Sequence, residues 1–385
     1  MNNCQANLFG GMDTKILRQG NSRKRRQNTN CERNEAVVAP RDTFENYTIT
    51  RAAVVDSNML VFCAQRDDPE TDTRLVNCKL DINKWGWLGF KHFASPRIDS
   101  GVQEDGSPIA LFVNAHLQVV SFQYDNGGNG LEDLIPTEVA LAGPRNIRFI
   151  DRHFYAVGLD TSLTRRLGPN RWEKLHDSPD GPGLRGVDGF SETEIYVTGN
   201  DNLIGLYDGT KFHRLEYPAQ IKRNSQGDPF HCDTVLCATD DHVYLGGFNG
   251  ELVRGREAQW ELLISAEERS IGNINKLVWF RDTLYAGTDN ALWRYEDGRW
   301  VYEQFEDSTE KPLGFGYLDA NDEIMLLAGP YSIAYTRDGK QWTVLYRPYE
   351  EIDLVRVQAM EQMVDDLRGV RDIAETLADE PRNDQ

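Results

Sequence analysis

A period dominates this sequence. The strings Phe154-Tyr-Ala-Val-Gly158, Ile195-Tyr-Val-Thr-Gly199, Val243-Tyr-Leu-Gly-Gly247 and Leu284-Tyr-Ala-Gly287 read almost in parallel, and Ile324-Met-Leu-Leu-Ala-Gly329 fills the same slot without the tyrosine. Taking Tyr155, Tyr196, Tyr244, Tyr285 and Leu326 as equivalent gives steps of 41, 48, 41 and 41 residues. An aromatic follows each slot 15–17 residues later: Trp172, Phe212, Trp260, Trp300 and Trp342. Between slot and aromatic lie a polar turn, a short alternating strand and a second turn, written Asp-Gly at Asp208, Asp297 and Asp338. Asp-Gly accepts positive φ at both central positions of a tight hairpin, so it marks a turn between alternating runs. A further apolar run precedes each slot, at 147–150, 184–190, 234–238, 276–280 and 314–318. Four strands in about forty residues is the content of one propeller blade.

Upstream the pattern weakens. Residues 59–63, 74–80 and 85–90 fit one blade with a long hairpin over 66–73, and 109–113 with 117–122 fit another. The fold class expected is therefore all-β, a seven-bladed β-propeller, with six or eight blades or a β-solenoid as alternatives. Residues 1–35 read as a disordered basic tail, 36–350 as the propeller, and 351–385 as a C-terminal strand and helix extension. In the last part, apolar residues at Met360, Met363, Leu367, Val370 and Leu377 keep helical spacing. A lone helix of that length is marginal in water, so it must dock on the propeller, on a partner or on a second copy, giving a homodimer.

The turn Tyr335-Thr-Arg-Asp-Gly-Lys-Gln-Trp342 resembles a relaxed Asp-box of the sialidase-like (BNR) bacterial propellers, with weaker copies at Asp297-Gly-Arg-Trp300 and Asp208-Gly-Thr-Lys-Phe212. The resemblance spans roughly residues 145–346. It implies that Asp338 caps turn amides and that the tryptophans pack between blades, a structural role without chemistry.

Net charge is −19, and residues 1–42 carry eight Lys/Arg against four Asp/Glu, leaving 34 basic and 57 acidic residues beyond them. Such a body repels nucleic acid and anionic membrane and attracts basic proteins, while argument from charge disfavours an acidic partner. No stretch of eighteen apolar residues and no secretory signal is present, so the expected compartment is the cytoplasm and the six cysteines are expected reduced. Cys63 and Cys78 would sit opposite each other on a hairpin, which keeps one disulfide open.

A search for chemistry finds little. Ser95-Pro-Arg-Ile98 is a poor substitute for the arginine-bearing start of a sialidase, and a Gly-x-Ser-x-Gly elbow is absent. His231, Cys232, Cys237 and His242 lack the tight pairing of a structural zinc site, and Asp233, Asp240 and Asp241 lack the regular oxygen spacing of a calcium loop. No catalytic residue, metal or cofactor is assigned. The expectation is a non-enzymatic, macromolecule-binding propeller with an acidic surface, in one form a bacterial immunity or antitoxin-type protein that neutralises a basic toxin domain. Its alternatives are a glycan- or small-ligand enzyme working in the channel and a dimerising scaffold. Irregular or acidic loops are the candidate contacts: Asp67, Asp68 and Glu70, Asn126 and Asn129, Asp240 and Asp241.

Overall fold

A computed structural model describes residues 31–38, 40–66, 72–123, 128–135, 143–178, 181–201, 203–216, 232–265, 271–289, 291–303 and 316–347. They form seven antiparallel sheets, each a blade of four consecutive strands, with a fifth strand added to blade 1. The inner strands are Thr48–Asp56, Arg97–Val102, Pro144–Ile150, Leu184–Ser191, Cys232–Cys237, Lys276–Phe280 and Tyr317–Ala320. Each packs on the next around the ring, and the first packs on the last. All seven therefore begin at one mouth of the channel and end at the other, where they turn into the second strands.

The period has a packing cause. In each blade the slot residue lies on the second strand, fully or almost fully buried, and shares a cluster with the aromatic of the following blade. Tyr155 meets Phe212, Tyr196 meets Trp260, Tyr244 meets Trp300 and Tyr285 meets Trp342. The Tyr196 and Trp260 rings cross edge-to-face with centroids 6.2 Å apart. Leu326 of blade 7 meets Trp85 of blade 1, and Leu111 of blade 2 meets Trp172 of blade 3. A repeat covers only its neighbours, so one large aromatic per repeat suffices to bury each interface. At the hairpin tips Asp338 Oδ1 accepts the amides of Lys340 and Gln341, both at 2.8 Å, and Asp208 Oδ1 accepts those of Thr210 and Lys211.

Two inner strands were not legible in the sequence, Thr48–Asp56 and Arg97–Val102. Arg97–Val102 is broken by Asp99, Ser100 and Gly101 and gives no apolar run, whereas Thr48–Asp56 does contain one, Ala52-Ala-Val-Val55, outside the strands expected for its blade. The boundary expected for the tail, residue 35, falls inside the strand Cys31–Val38, whose backbone pairs with Lys84–Phe90 at the outer edge of blade 1. The disulfide left open is corrected by register. Cys63 lies opposite Leu75 and Cys78 opposite Leu60, so the two side chains enter different cores and both are free thiols. Burial pushes both thiols up to about 12.

Among the described residues no strand is exchanged between the first and last blades. The seam between them is held by the amide of Ile49 on the Pro330 carbonyl at 2.9 Å, Arg337 on the Ser57 carbonyl at 2.7 Å, and the amide of Val54 on Asp319 Oδ2 at 2.8 Å. A short helix, Pro40–Phe44, adds an aromatic to the same core. The expected closing strand over 352–357 and the helix after it lie outside the described residues.

Candidate functional site

At the channel axis one cation gathers three carboxylates. Arg148, on the inner strand of blade 3, reaches Asp188 at 3.0 Å, Asp99 at 3.4 Å and Asp319 at 3.7 Å. Each aspartate also takes a backbone amide from the next blade: Asp99 from Phe149 (2.5 Å), Asp188 from Cys237 (2.9 Å) and Asp319 from Val54. The three carboxylates therefore act as staples between blades 2 and 3, 4 and 5, and 7 and 1. A buried charge is tolerated only when paired and hydrogen-bonded, and all four groups meet that condition together.

Burial, partly offset by Arg148 and reinforced by Asp319, raises the Asp99 carboxyl from 3.8 to about 6. The folded protein then takes up this proton at higher pH than the unfolded chain does. Asp99 consequently favours the folded state most at low pH, and this contribution falls away as pH rises through the window between about 4 and 6, by about 2–3 kcal/mol. Urea titrations of the wild type and Asp99→Asn across that window will check it. The stability difference, wild type minus variant, is expected to decline with rising pH, and a flat difference would contradict the assignment.

The two mouths differ in charge. At the far end, the turns joining first to second strands carry Glu104 and Asp105, Asp151, Glu192, Asp240 and Asp241, Asp282, and Asp322 with Glu323, against the cations Arg152 and Arg281. Local conformation places several of them. Asp151, Asp241 and Asp282 have φ of 55°, 66° and 58°, a region that Asp tolerates and most side chains do not. Their sum is an acidic annulus around the channel. Arg152 bonds Glu104 at 2.8 Å and Arg256 reaches Asp241 at 3.3 Å, but the Asp241 side chain remains 85% exposed and that of Glu104 71%. At the near end, where the inner strands begin, Arg51, Arg97, Arg145, Arg185 and Lys276 line the opening. Net charge gave no sign of this basic mouth, because it counts residues and ignores where they lie.

The residues chosen from the sequence fall out unevenly. Asp240 and Asp241 lie on the acidic annulus, with Asp240 Oδ2 accepting the Tyr244 hydroxyl at 2.7 Å and its Oδ1 accepting the His242 amide. Asp67, Asp68, Glu70 and Asn126 lie outside the described residues. Asn129 sits in the strand Gly128–Leu134, opposite Phe122. Cys232 is buried and donates to the Thr234 carbonyl, while His231 lies outside the described residues. Sequence reasoning missed Arg148 and its three aspartates. What the four share is a register position, each lying opposite the slot residue of its own blade (Asp99 opposite Leu111, Arg148 opposite Tyr155, Asp188 opposite Tyr196, Asp319 opposite Leu326), so register was needed to see that all four point to one axis.

The fold has wide company among solved structures. The chain superposes on a virginiamycin B lyase of Staphylococcus aureus with TM-score 0.55 and 10% identity over 78% of this chain and 96% of that one. It does so on YCF48 bound to a D1 peptide with TM-score 0.53 and 12% identity over 78% and 92%. Likeness at this level carries the propeller alone. No family model matches the chain. One curated relative decides the family: the immune protein Tsi7 of Pseudomonas aeruginosa is 30% identical over 244 residues, which cover 61% of this chain and 74% of Tsi7. The chain belongs to the Tsi7 family. For a Tsi7-family propeller, a binding role of the immunity type agrees with what the sequence led us to expect.

Proposed function

We propose that this chain is an immunity protein that binds a toxin through a basic domain, using the acidic annulus on the turn face. The observation that carries the reading is the annulus itself, in a member of the Tsi7 family. Exposed charge of one sign around a rigid opening steers an oppositely charged partner and sets its register. Binding without catalysis is supported by the state of the channel acids: Asp99, Asp188 and Asp319 are each committed to Arg148 and to a neighbouring amide. We read the Asp338 turn as a relaxed Asp-box whose aspartate is structural. We place the protein in the cytoplasm, where the free thiols of Cys63, Cys78, Cys232 and Cys237 would stay reduced. A body of net charge −19 has no affinity for nucleic acid or anionic membrane on this reading.

Co-purification of the full chain with proteins of its native host tests the proposal. A basic partner should be retained at low salt and released as ionic strength rises. Triple reversal of exposed acids, Glu104→Lys, Asp322→Lys and Glu323→Lys, should slow association about tenfold or more while leaving the melting temperature near the wild-type value. Unaltered association in the triple variant would overturn the assignment of the face.

A further inference from the structure

The near mouth of the channel holds a cavity of 390 Å³, within the usual range of about 300–1,000 Å³ for small-ligand sites. One wall is built from blades 1 to 3 and presents Arg51, Arg97 and Arg145, one guanidinium from each inner strand. Among the described residues none of these three has a carboxylate in ion-pair range. Arg51 Nη1 donates to the Thr50 carbonyl at 2.6 Å, and Arg97 Nε donates to the Arg145 carbonyl at 2.7 Å, so their bonds go to backbone. The Arg51 guanidinium also stacks over the Tyr317 ring, 5.1 Å from its centroid, which fixes its plane.

The acids near this wall are already committed. Asp233 pairs with Arg185 at 2.6 Å, Asp289 accepts from Asn275 at 2.6 Å, and Asp99 and Asp319 on the floor hold Arg148. Burial first, and then the neighbouring Arg51 and Arg145, lower Arg97 to about 10. Three forks of one sign, Arg51 and Arg97 half-buried and Arg145 exposed at the rim, repel one another until something negative is placed between them.

We propose that this cavity binds a compact oxyanion, a carboxylate or phosphate group, seated on Arg51, Arg97 and Arg145 with Lys276 facing it from blade 6. Guanidinium forks match the planar or tetrahedral oxygens of such groups with paired, charge-assisted hydrogen bonds. The acidic body does not forbid this. Screening confines exposed charge to about 8 Å at physiological ionic strength, so a ligand in the cavity feels the local wall more than the net charge. The proposal stands apart from the toxin-binding reading, since it uses the opposite mouth and different residues.

The oxyanion can be supplied by a free polyanion or by an acidic segment of a bound protein. Calorimetric titration of the full chain at low salt with citrate, with pyrophosphate, and with an acetylated peptide ending in Asp-Glu-Glu separates these. Saturable one-to-one binding of at least one probe is expected, weakened about tenfold or more by Arg97→Gln and by Arg51→Gln, as loss of one charge-assisted pair requires. Citrate or pyrophosphate binding assigns a free ligand, and binding of the peptide alone assigns a protein-borne carboxylate. A second readout excludes simple misfolding: without ligand, Arg97→Gln should melt no lower than the wild type, because it relieves repulsion. Absence of saturable binding by all three probes, or affinities unchanged in both variants, would overturn the proposal.

Discussion

Arg148→Met is expected to destabilise the protein by about 3 kcal/mol, at the lower end of the range for removing one partner of a buried ion pair. The wild-type side chain is 24% exposed to the channel, which is why the lower end applies. The substitution keeps the volume and the apolar stem, so lost packing contributes little. What remains is three aspartates, 6% to 9% exposed, facing one another across the axis without a counter-charge. The Asp99 carboxyl, already raised to about 6 in the wild type, would then rise further. The sign follows: the variant should regain stability as pH falls and protons neutralise the cluster, and lose it as pH rises. Urea midpoints of wild type and variant, compared near neutrality and in mild acid, measure both effects. A loss below about 1 kcal/mol at neutral pH would mean that water in the channel solvates the acids well enough to do without Arg148.

Phe44→Ala is expected to cost about 3–5 kcal/mol, the range for deleting a buried phenylalanine ring. Phe44 is 1% exposed, and its ring meets Tyr346 of blade 7 at 4.9 Å, Trp85 of blade 1 at 5.7 Å and Phe62 of blade 1 at 6.0 Å. It bridges the seam between the first and last blades, where no strand is exchanged among the described residues. The damage should therefore be local in its first stage. In hydrogen exchange, the amides of Ile49 and Val54, which bond across the seam, should lose protection, while those of Glu194–Gly199 in blade 4 keep theirs. Uniform loss of protection around the ring would show that the seam is no weaker than any other interface.

Much of this fold could be read from the chain because the repeat is a local code. A slot residue, a turn and an aromatic recur at fixed spacing, since each blade must present the same surface to its neighbour. Five blades declared themselves through Tyr155, Tyr196, Tyr244, Tyr285 and Leu326. The first two were harder to read because they lack the slot tyrosine and the aromatic that follows it at 15–17 residues, and the inner strand of the second, Arg97–Val102, is broken by Asp99, Ser100 and Gly101. The acidic annulus was half legible: its residues are the turn aspartates, present for backbone reasons, but only ring closure gathers Glu104, Asp241 and Glu323 around one opening.

The sequence by itself determined the period, the number of strands in each repeat, the large aromatic at each blade interface and the overall acidity. These follow from interactions between residues close in the chain or one repeat apart. Tertiary structure alone decided where charge gathers. Arg148 and Asp319 are 171 positions apart, yet lie 3.7 Å from each other because seven inner strands share one axis. The same convergence gathers the turn acids at one mouth and Arg51, Arg97 and Arg145 at the other, since strand direction assigns each residue an end. Charge interacts through space and ignores the spacing along the chain in which the repeat is written.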